Sequence, residues 1–186
     1  MRAVFLEAPA ELLEERRRLG LDRRDEVWDG VVHVVPPASS GHNLLADDLL
    51  VAFRRIAGAR SLVVIREVGV FEPAAVPASY RVPDLAVAAT AQITDRGIEG
   101  RAELVIEVLS PNDESREKLP FYARVGVREV WLVDPATHVV DVFALVSGEL
   151  VPVPAVAGVI RAQLGLELET REGVLRICDG ASLHEA

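Results

Sequence analysis

ELVIEVLSPNDESREKLPFYARVGVREVWLVDP, residues 103–135, decides how this chain is read. Leu104 to Leu109 is almost wholly apolar, as expected of a central strand covered on both faces. Ser110-Pro111-Asn112 breaks the run. A helix is expected from about Asp113 to Val125, stopped at Gly126, and a second strand from Arg128 to Val133. One residue does not suit so plain a reading. Glu107 lies inside the first strand, and a carboxylate buried there without a partner costs on the order of several kcal/mol. It must be neutralised, paired with an arginine, or bound to a cation. Its place near the carboxyl end of the strand is where α/β sheets build their sites.

The flanking sequence extends the pattern. His138 to Leu145 is a further strand after the turn Asp134-Pro135-Ala136-Thr137. Upstream, Asp84 to Ala89 follows a loop rich in proline and alanine, preceded by strands at Ser61 to Arg66 and Val68 to Phe71. Ser39-Ser40 can cap a helix from about His42 to Ala57, with Leu44, Leu45, Leu49, Leu50 and Phe53 as its apolar stripe. Glu26 to Val35 reads as a hairpin turning at Asp29-Gly30, and Ala10 to Leu19 as a helix. From about 150 to 186 short strand-like pieces alternate with turns. The expectation is one α/β (α+β) domain over 1–186, a mixed central β-sheet flanked by helices, with an N-terminal helix and hairpin at about 10–35.

Half of the 186 residues are hydrophobic, ample for a core and unlike a disordered chain. No apolar run approaches bilayer length, and charges come too early for a secretory signal, so a cytoplasmic chain without membrane contact is expected. The lone cysteine, Cys178, can form no internal disulfide. A net charge of -9 argues against tight nonspecific DNA binding, unless a divalent metal supplies positive charge where phosphate must sit. The basic clusters, such as Arg16-Arg17-Arg18, read as solvated faces. Of the 20 basic residues only Lys118 is lysine, which singles it out because arginine does not replace the compact ammonium at every site.

Asp84 opens an apolar strand, and neighbouring strands lie about 5 Å apart, so Asp84 and Glu107 can converge on one cation. Mg²⁺ takes one or two carboxylates at about 2.0–2.1 Å and keeps waters. Taken alone, Asp84 reads as a polar residue at a turn-to-strand junction, which is common after proline. Lys118 either pairs with Glu114 on a helix surface, one turn back, or places its ammonium over the acids to meet a scissile phosphate. Tyr122, four residues on, reads as core packing with a tethered hydroxyl. His42, at a helix start, reads as a helix-end residue or a metal ligand. No phosphate-binding glycine loop and no nucleophile elbow is present.

Arg81-Val-Pro-Asp-Leu-Ala-Val87, Glu103-Leu-Val-Ile-Glu-Val-Leu-Ser-Pro111, and the stretch from Glu117-Lys118-Leu-Pro-Phe-Tyr through Trp131-Leu-Val-Asp-Pro135 resemble the Uma-two family of bacterial chains classed with the endonucleases. That family belongs to the PD-(D/E)XK nuclease superfamily. The resemblance runs from about Trp28 to Phe143, and Pro37 with His42 fits its upstream pattern. It implies a restriction-endonuclease-like core, with catalytic Asp84, Glu107 and Lys118. It also implies Mg²⁺ or Mn²⁺ held by Asp84, Glu107 and the Val108 backbone carbonyl, with His42 and Tyr122 nearby. DNA is the implied substrate and a homodimer the implied assembly. The strict motif would place lysine at 109, where Leu109 stands; Lys118 is then the lysine moved to the following helix. The end of the chain, 170–186, does not show the family's closing pattern. Three functions follow: a metal-dependent endonuclease hydrolysing phosphodiester bonds of DNA, a catalytically silent nuclease fold that binds DNA or assembles, and a metal-dependent hydrolase of a small phosphate substrate.

Overall fold

In the computed structural model, which describes residues 3–5, 8–76, 78–111, 114–180 and 182–186, the apolar run at 104–108 is a strand buried along its whole length. Strand β1 (Ala3–Phe5) and helix α1 (Ala10–Arg18) lead into the hairpin of β2 (Glu26–Trp28) and β3 (Val31–Val34), followed by helix α2 (Ser40–Gly58). Next come β4 (Leu62–Arg66), β5 (Val70–Phe71), β6 (Tyr80–Arg81), β7 (Leu85–Ala89), β8 (Ile93–Thr94), β9 (Gly97–Glu99) and β10 (Leu104–Val108). Helix α3 (Leu119–Arg124) precedes β11 (Glu129–Val133), β12 (Val140–Val146) and β13 (Glu149–Pro152). The chain ends in β14 (Ile160–Ala162), β15 (Leu166–Arg171), β16 (Val174–Cys178) and β17 (Leu183–Glu185).

Three sheets result. The central one runs β13-β12-β11-β10-β7-β4, with β10 and β11 parallel and every other pair antiparallel. An N-terminal sheet runs β1-β3-β2-β6-β5-β9-β8 and a C-terminal sheet β14-β15-β16-β17. Strand periodicity sorts the layers. Leu104, Ile106 and Val108 face α2 and the C-terminal sheet, in one core with Leu49, Phe53, Trp131, Leu168 and Ile177. Val105 faces the opposite core, with Phe121, Tyr122, Val130, Val70 and Ile98 from α3, β11 and the N-terminal sheet. Glu107 alternates with Val105's side, so its carboxyl points toward α3 and the hairpin rather than toward α2.

Local chemistry explains the boundaries. Ser39 accepts the His42 amide and caps α2, whose buried residues recur at 42, 45, 46, 49, 52, 53 and 56; Leu44, expected in the stripe, is turned out to solvent. Asp29 and Gly30 both take positive φ, the paired left-handed geometry of a two-residue hairpin. The expected helix from Asp113 to Val125 is a correction: α3 begins only at Leu119, while Asn112 and Asp113 lie outside the described residues. Its reason is Pro120, which has no N–H to bond back and suits only the first helical turn. Residues 117 to 119 instead donate to carbonyls three residues back, in tighter turns. At the far end Gly126 (φ 81) donates to Ala123 and Val127 to Tyr122, the paired bonds of a glycine-terminated helix. The strand-like pieces expected after 150 are β13 to β17, and β6, β8 and β9 are short strands not read from the sequence.

No helix among the described residues is long and apolar enough to cross a membrane. Phe53 is fully buried against the edge of Trp131, their ring centroids 5.2 Å apart. Phe53→Ala is expected to cost about 3–5 kcal/mol of stability, read by chemical denaturation, with the fold retained.

Candidate functional site

The site grows from the pairing of β7 with β10. Their register sets Ile106 opposite Leu85, and one step further brings Glu107 level with Asp84. Asp84 is bound in place from two sides. Its Oδ2 accepts the Val108 amide at 2.7 Å, and its Oδ1 lies 2.8 Å from His42 Nε2. The other ring nitrogen, Nδ1, lies 3.4 Å from the Ser110 hydroxyl. His42 thus links the first turn of α2 to the end of β10.

Glu107 is held by two donors from the α3 segment. Tyr122 Oη donates to Oε1 at 2.6 Å, and Lys118 Nζ donates to Oε1 at 3.0 Å and Oε2 at 3.2 Å. Lys118 is the residue before α3, not a member of it, and it is buried. The surface pair with Glu114 does not form; Glu114 instead faces His33 at 3.5 Å. A third acid, absent from the sequence reading, completes the group. Glu26 Oε1 lies 2.8 Å from Lys118 Nζ and accepts the Val82 amide at 3.0 Å, while its Oε2 accepts Trp28 Nε1 at 2.8 Å. The only hint in the sequence was an acid at the start of the hairpin strand.

These groups line one cleft of about 420 Å³, walled by Pro36, Pro37 and Pro111. Asp84, Glu107, Lys118, His42 and Val108 all lie on it, whereas Tyr122 reaches it only through its bond to Glu107. The floor is more sheltered than the rim: Glu26 is 1 % exposed, Glu107 4 % and Lys118 6 %, against 18 % for the Asp84 side chain. Two carboxylates therefore share one ammonium, and a third, Asp84, lies on the same cleft. Burial pushes Glu107 up to about 7, with Asp84 and Glu26 adding to the effect and Lys118 and Tyr122 opposing it. Burial also pushes Glu26 up, but Lys118 and the donors from Val82 and Trp28 outweigh it and hold Glu26 below the usual carboxylate range. Burial pulls Lys118 down, yet the two carboxylates more than offset this and keep it protonated. Burial raises Tyr122, which keeps its proton for donation.

The donor set suits a hard divalent cation in type and in charge, since carboxylate oxygens outnumber the positive groups around them. Among the described residues no cluster of three or more His, Cys, Asp or Glu side chains is placed to hold an ion. A cation here would rest on Asp84 and Glu107 and keep waters, taking Glu107 from Lys118. Between its ordinary value of 4.5 and about 7, Glu107 holds a proton in the folded chain that the unfolded chain has released. Its contribution to stability is present below 4.5 and is lost as pH rises toward 7. In metal-free thermal melts, wild type should therefore lose ground relative to Glu107→Gln as pH is raised across that interval.

A family model described as "Putative restriction endonuclease" (Uma2) matches residues 10–174. Among solved structures the chain is similar to one from Anabaena variabilis ATCC 29413 described as "a putative nuclease belonging to DUF820". The two share 17 % identity with a TM-score of 0.59, over 74 % of this chain and 80 % of that one. At that identity the likeness speaks for the fold, the restriction-endonuclease-like α+β core expected from residues 103–135. No curated protein matches the chain. The family match runs from the start of α1 to the first residue of β16 and takes in every residue of the cleft, and on that ground the chain belongs to the Uma2 family.

Proposed function

We propose that the chain is a Mg²⁺- or Mn²⁺-dependent endonuclease that hydrolyses phosphodiester bonds of DNA. The observation that carries this reading is the meeting of Asp84, Glu107 and Lys118 in one cleft, two acids and an ammonium drawn from three separated segments. Asp84 and Glu107 would hold the cation, with the Val108 carbonyl as a further oxygen. The bound ion supplies a Lewis acid for the phosphodiester. His42 keeps Asp84 aimed, because its imidazole N–H occupies the oxygen on that side. Tyr122 fixes the Glu107 carboxyl plane through its hydroxyl. Lys118 lines the cleft with three N–H donors, and a donor freed from Glu107 can stabilise charge developing on phosphate oxygens.

A second reading is favoured by the rim of the cleft. Arg24 there is paired with Glu67, and nearby Arg66 with Asp47 and Asn43, so these cations are already neutralised. With a net charge of -9, the surface offers little to a long polyanion, which suits hydrolysis of a small phosphodiester.

Supercoiled plasmid with Mg²⁺ or Mn²⁺ at low salt tests both readings. Wild type is expected to nick it, and Asp84→Asn and Glu107→Gln to fall to background while staying folded by circular dichroism. Lys118→Met should lose about 10²–10³-fold in kcat, the loss typical of removing one preorganised donor to the transition state. Cleavage of bis(p-nitrophenyl) phosphate without plasmid nicking would select the small-substrate reading. Neither reaction, with DNA binding equal in wild type and Asp84→Asn, would leave a silent binding fold.

A further inference from the structure

Glu26 has no part in the reaction described above, yet it is the least exposed of the site's charged side chains. It comes from β2, in the N-terminal sheet, and reaches Lys118 from the side away from β10. The two carboxylates that share Lys118 are held very differently. Glu107 is bonded by side chains alone, the buried Tyr122 and Lys118 on its flexible stem. Glu26 is bonded by a backbone amide, that of Val82, and by the indole N–H of Trp28.

That indole is itself clamped. Trp28 stacks on His33 with ring centroids 4.2 Å apart and planes 12° from parallel, and the Arg81 guanidinium lies 4.2 Å from its centroid. The same guanidinium lies 4.2 Å from the ring of Phe121 in α3 and donates to the Val27 and Tyr80 carbonyls. A stacked column of His33, Trp28, Arg81 and Phe121 therefore runs from the hairpin to α3 and fixes the indole that fixes Glu26. The carboxylate cannot turn away from Lys118 without giving up the indole and Val82 donors.

From this asymmetry we infer that Glu26 is a positioning residue, the fixed anchor that keeps the Lys118 ammonium in the cleft when Glu107 is engaged elsewhere. The inference rests on the reading of Lys118 as the cation that meets the reacting phosphate. Charge on Asp84 and Glu107 taken up by a divalent ion would both remove one of the ammonium's partners and repel it. Lys118 hangs on a flexible four-carbon stem at the start of α3, and with Glu107 alone it would be released. With Glu26 in place one N–H stays bound and the remaining donors are aimed into the cleft. An ammonium serves here because its three donors spread over separate partners, whereas a guanidinium presents a planar fork.

The chain's single lysine makes the test specific, since ¹⁵N-lysine labelling gives one side-chain ammonium resonance. In metal-free wild type at neutral pH this signal is expected to be visible and slow to exchange with water. Glu107→Gln should retain it. Glu26→Gln should speed its exchange about tenfold or more, the equivalent of one lost charge-assisted bond. With plasmid as substrate, the same variant should lower kcat about tenfold or more and leave KM within about twofold, the pattern of a group that acts only in the transition state. The reverse order, with the signal lost in Glu107→Gln and kept in Glu26→Gln, would overturn the inference. Should Glu26→Gln not fold, Glu107→Gln decides alone, because loss of the ammonium signal there means Glu26 does not hold it. The spectrum needs neither metal nor DNA, so an absence of nicking by wild type would count against the nuclease reading and not against this one.

Discussion

One ammonium between two buried carboxylates organises this molecule. Lys118 leads into α3, Glu107 sits at the centre of the middle sheet, and Glu26 belongs to the hairpin, so one side chain ties three parts of the chain together. None of the three is tolerable alone at that depth. A buried charge stripped of its partner is costly, and removing one partner harms more than replacing the whole group with apolar residues. The rest of the face is arranged around that constraint. Arg81 takes its place in the aromatic column, with its pKa lowered to about 10 chiefly by burial, and Tyr122 turns its hydroxyl inward to the acid rather than outward to water.

The strands with long apolar runs were legible because their pattern is local. Leu104 to Val108, Glu129 to Val133 and Leu85 to Ala89 stand in the sheet at positions that their composition alone prescribes. Gly126 was legible as a stop for the same reason. Helix α3 was not legible in its length, since the charged residues before Lys118 look helical and only Pro120 withholds the backbone donor. In the 150–186 stretch the signal is confined to short alternations: Leu166 and Leu168 point inward, as do Leu175 and Ile177, on either side of a Glu172-Gly173 turn at positive φ. The two- and three-residue strands β6, β8 and β9 have no periodicity to read. They exist because neighbours hold them, as where a Cβ at Gly97 would collide with the Gly69 carbonyl.

The site divides along the same line. Glu107 was conspicuous because it violates its strand, and Lys118 because it is the sole lysine, so both could be named before their contact was seen. Asp84 and His42 could be named but not joined, since 42 residues separate them and nothing local announces the bond. Glu26 was invisible. Its tripeptide, Glu26-Val27-Trp28, is repeated at Glu129-Val130-Trp131, and in both copies the carboxylate accepts from the indole two residues on, at 2.8 and 2.7 Å. In both it also accepts a backbone amide from a distant segment, Val82 in one case and Gln163 in the other. The same three letters thus make a staple between elements in each place, and only the first copy has an ammonium within reach.

The bond from the Val108 amide to Asp84 also bears on how the sheet is assembled. Along β10, side chains at even and odd positions enter opposite cores, and Leu104, Ile106 and Val108 fill the one that meets α2 and the C-terminal sheet. A slip of one residue between β10 and β7 would send Glu107 into that dry layer and strip Asp84 of its donor. Mispaired sheets are therefore penalised by the acids themselves. Asp84 and Glu107 thus also act as a check on register, since a chain with its strands out of step leaves both carboxylates without their partners.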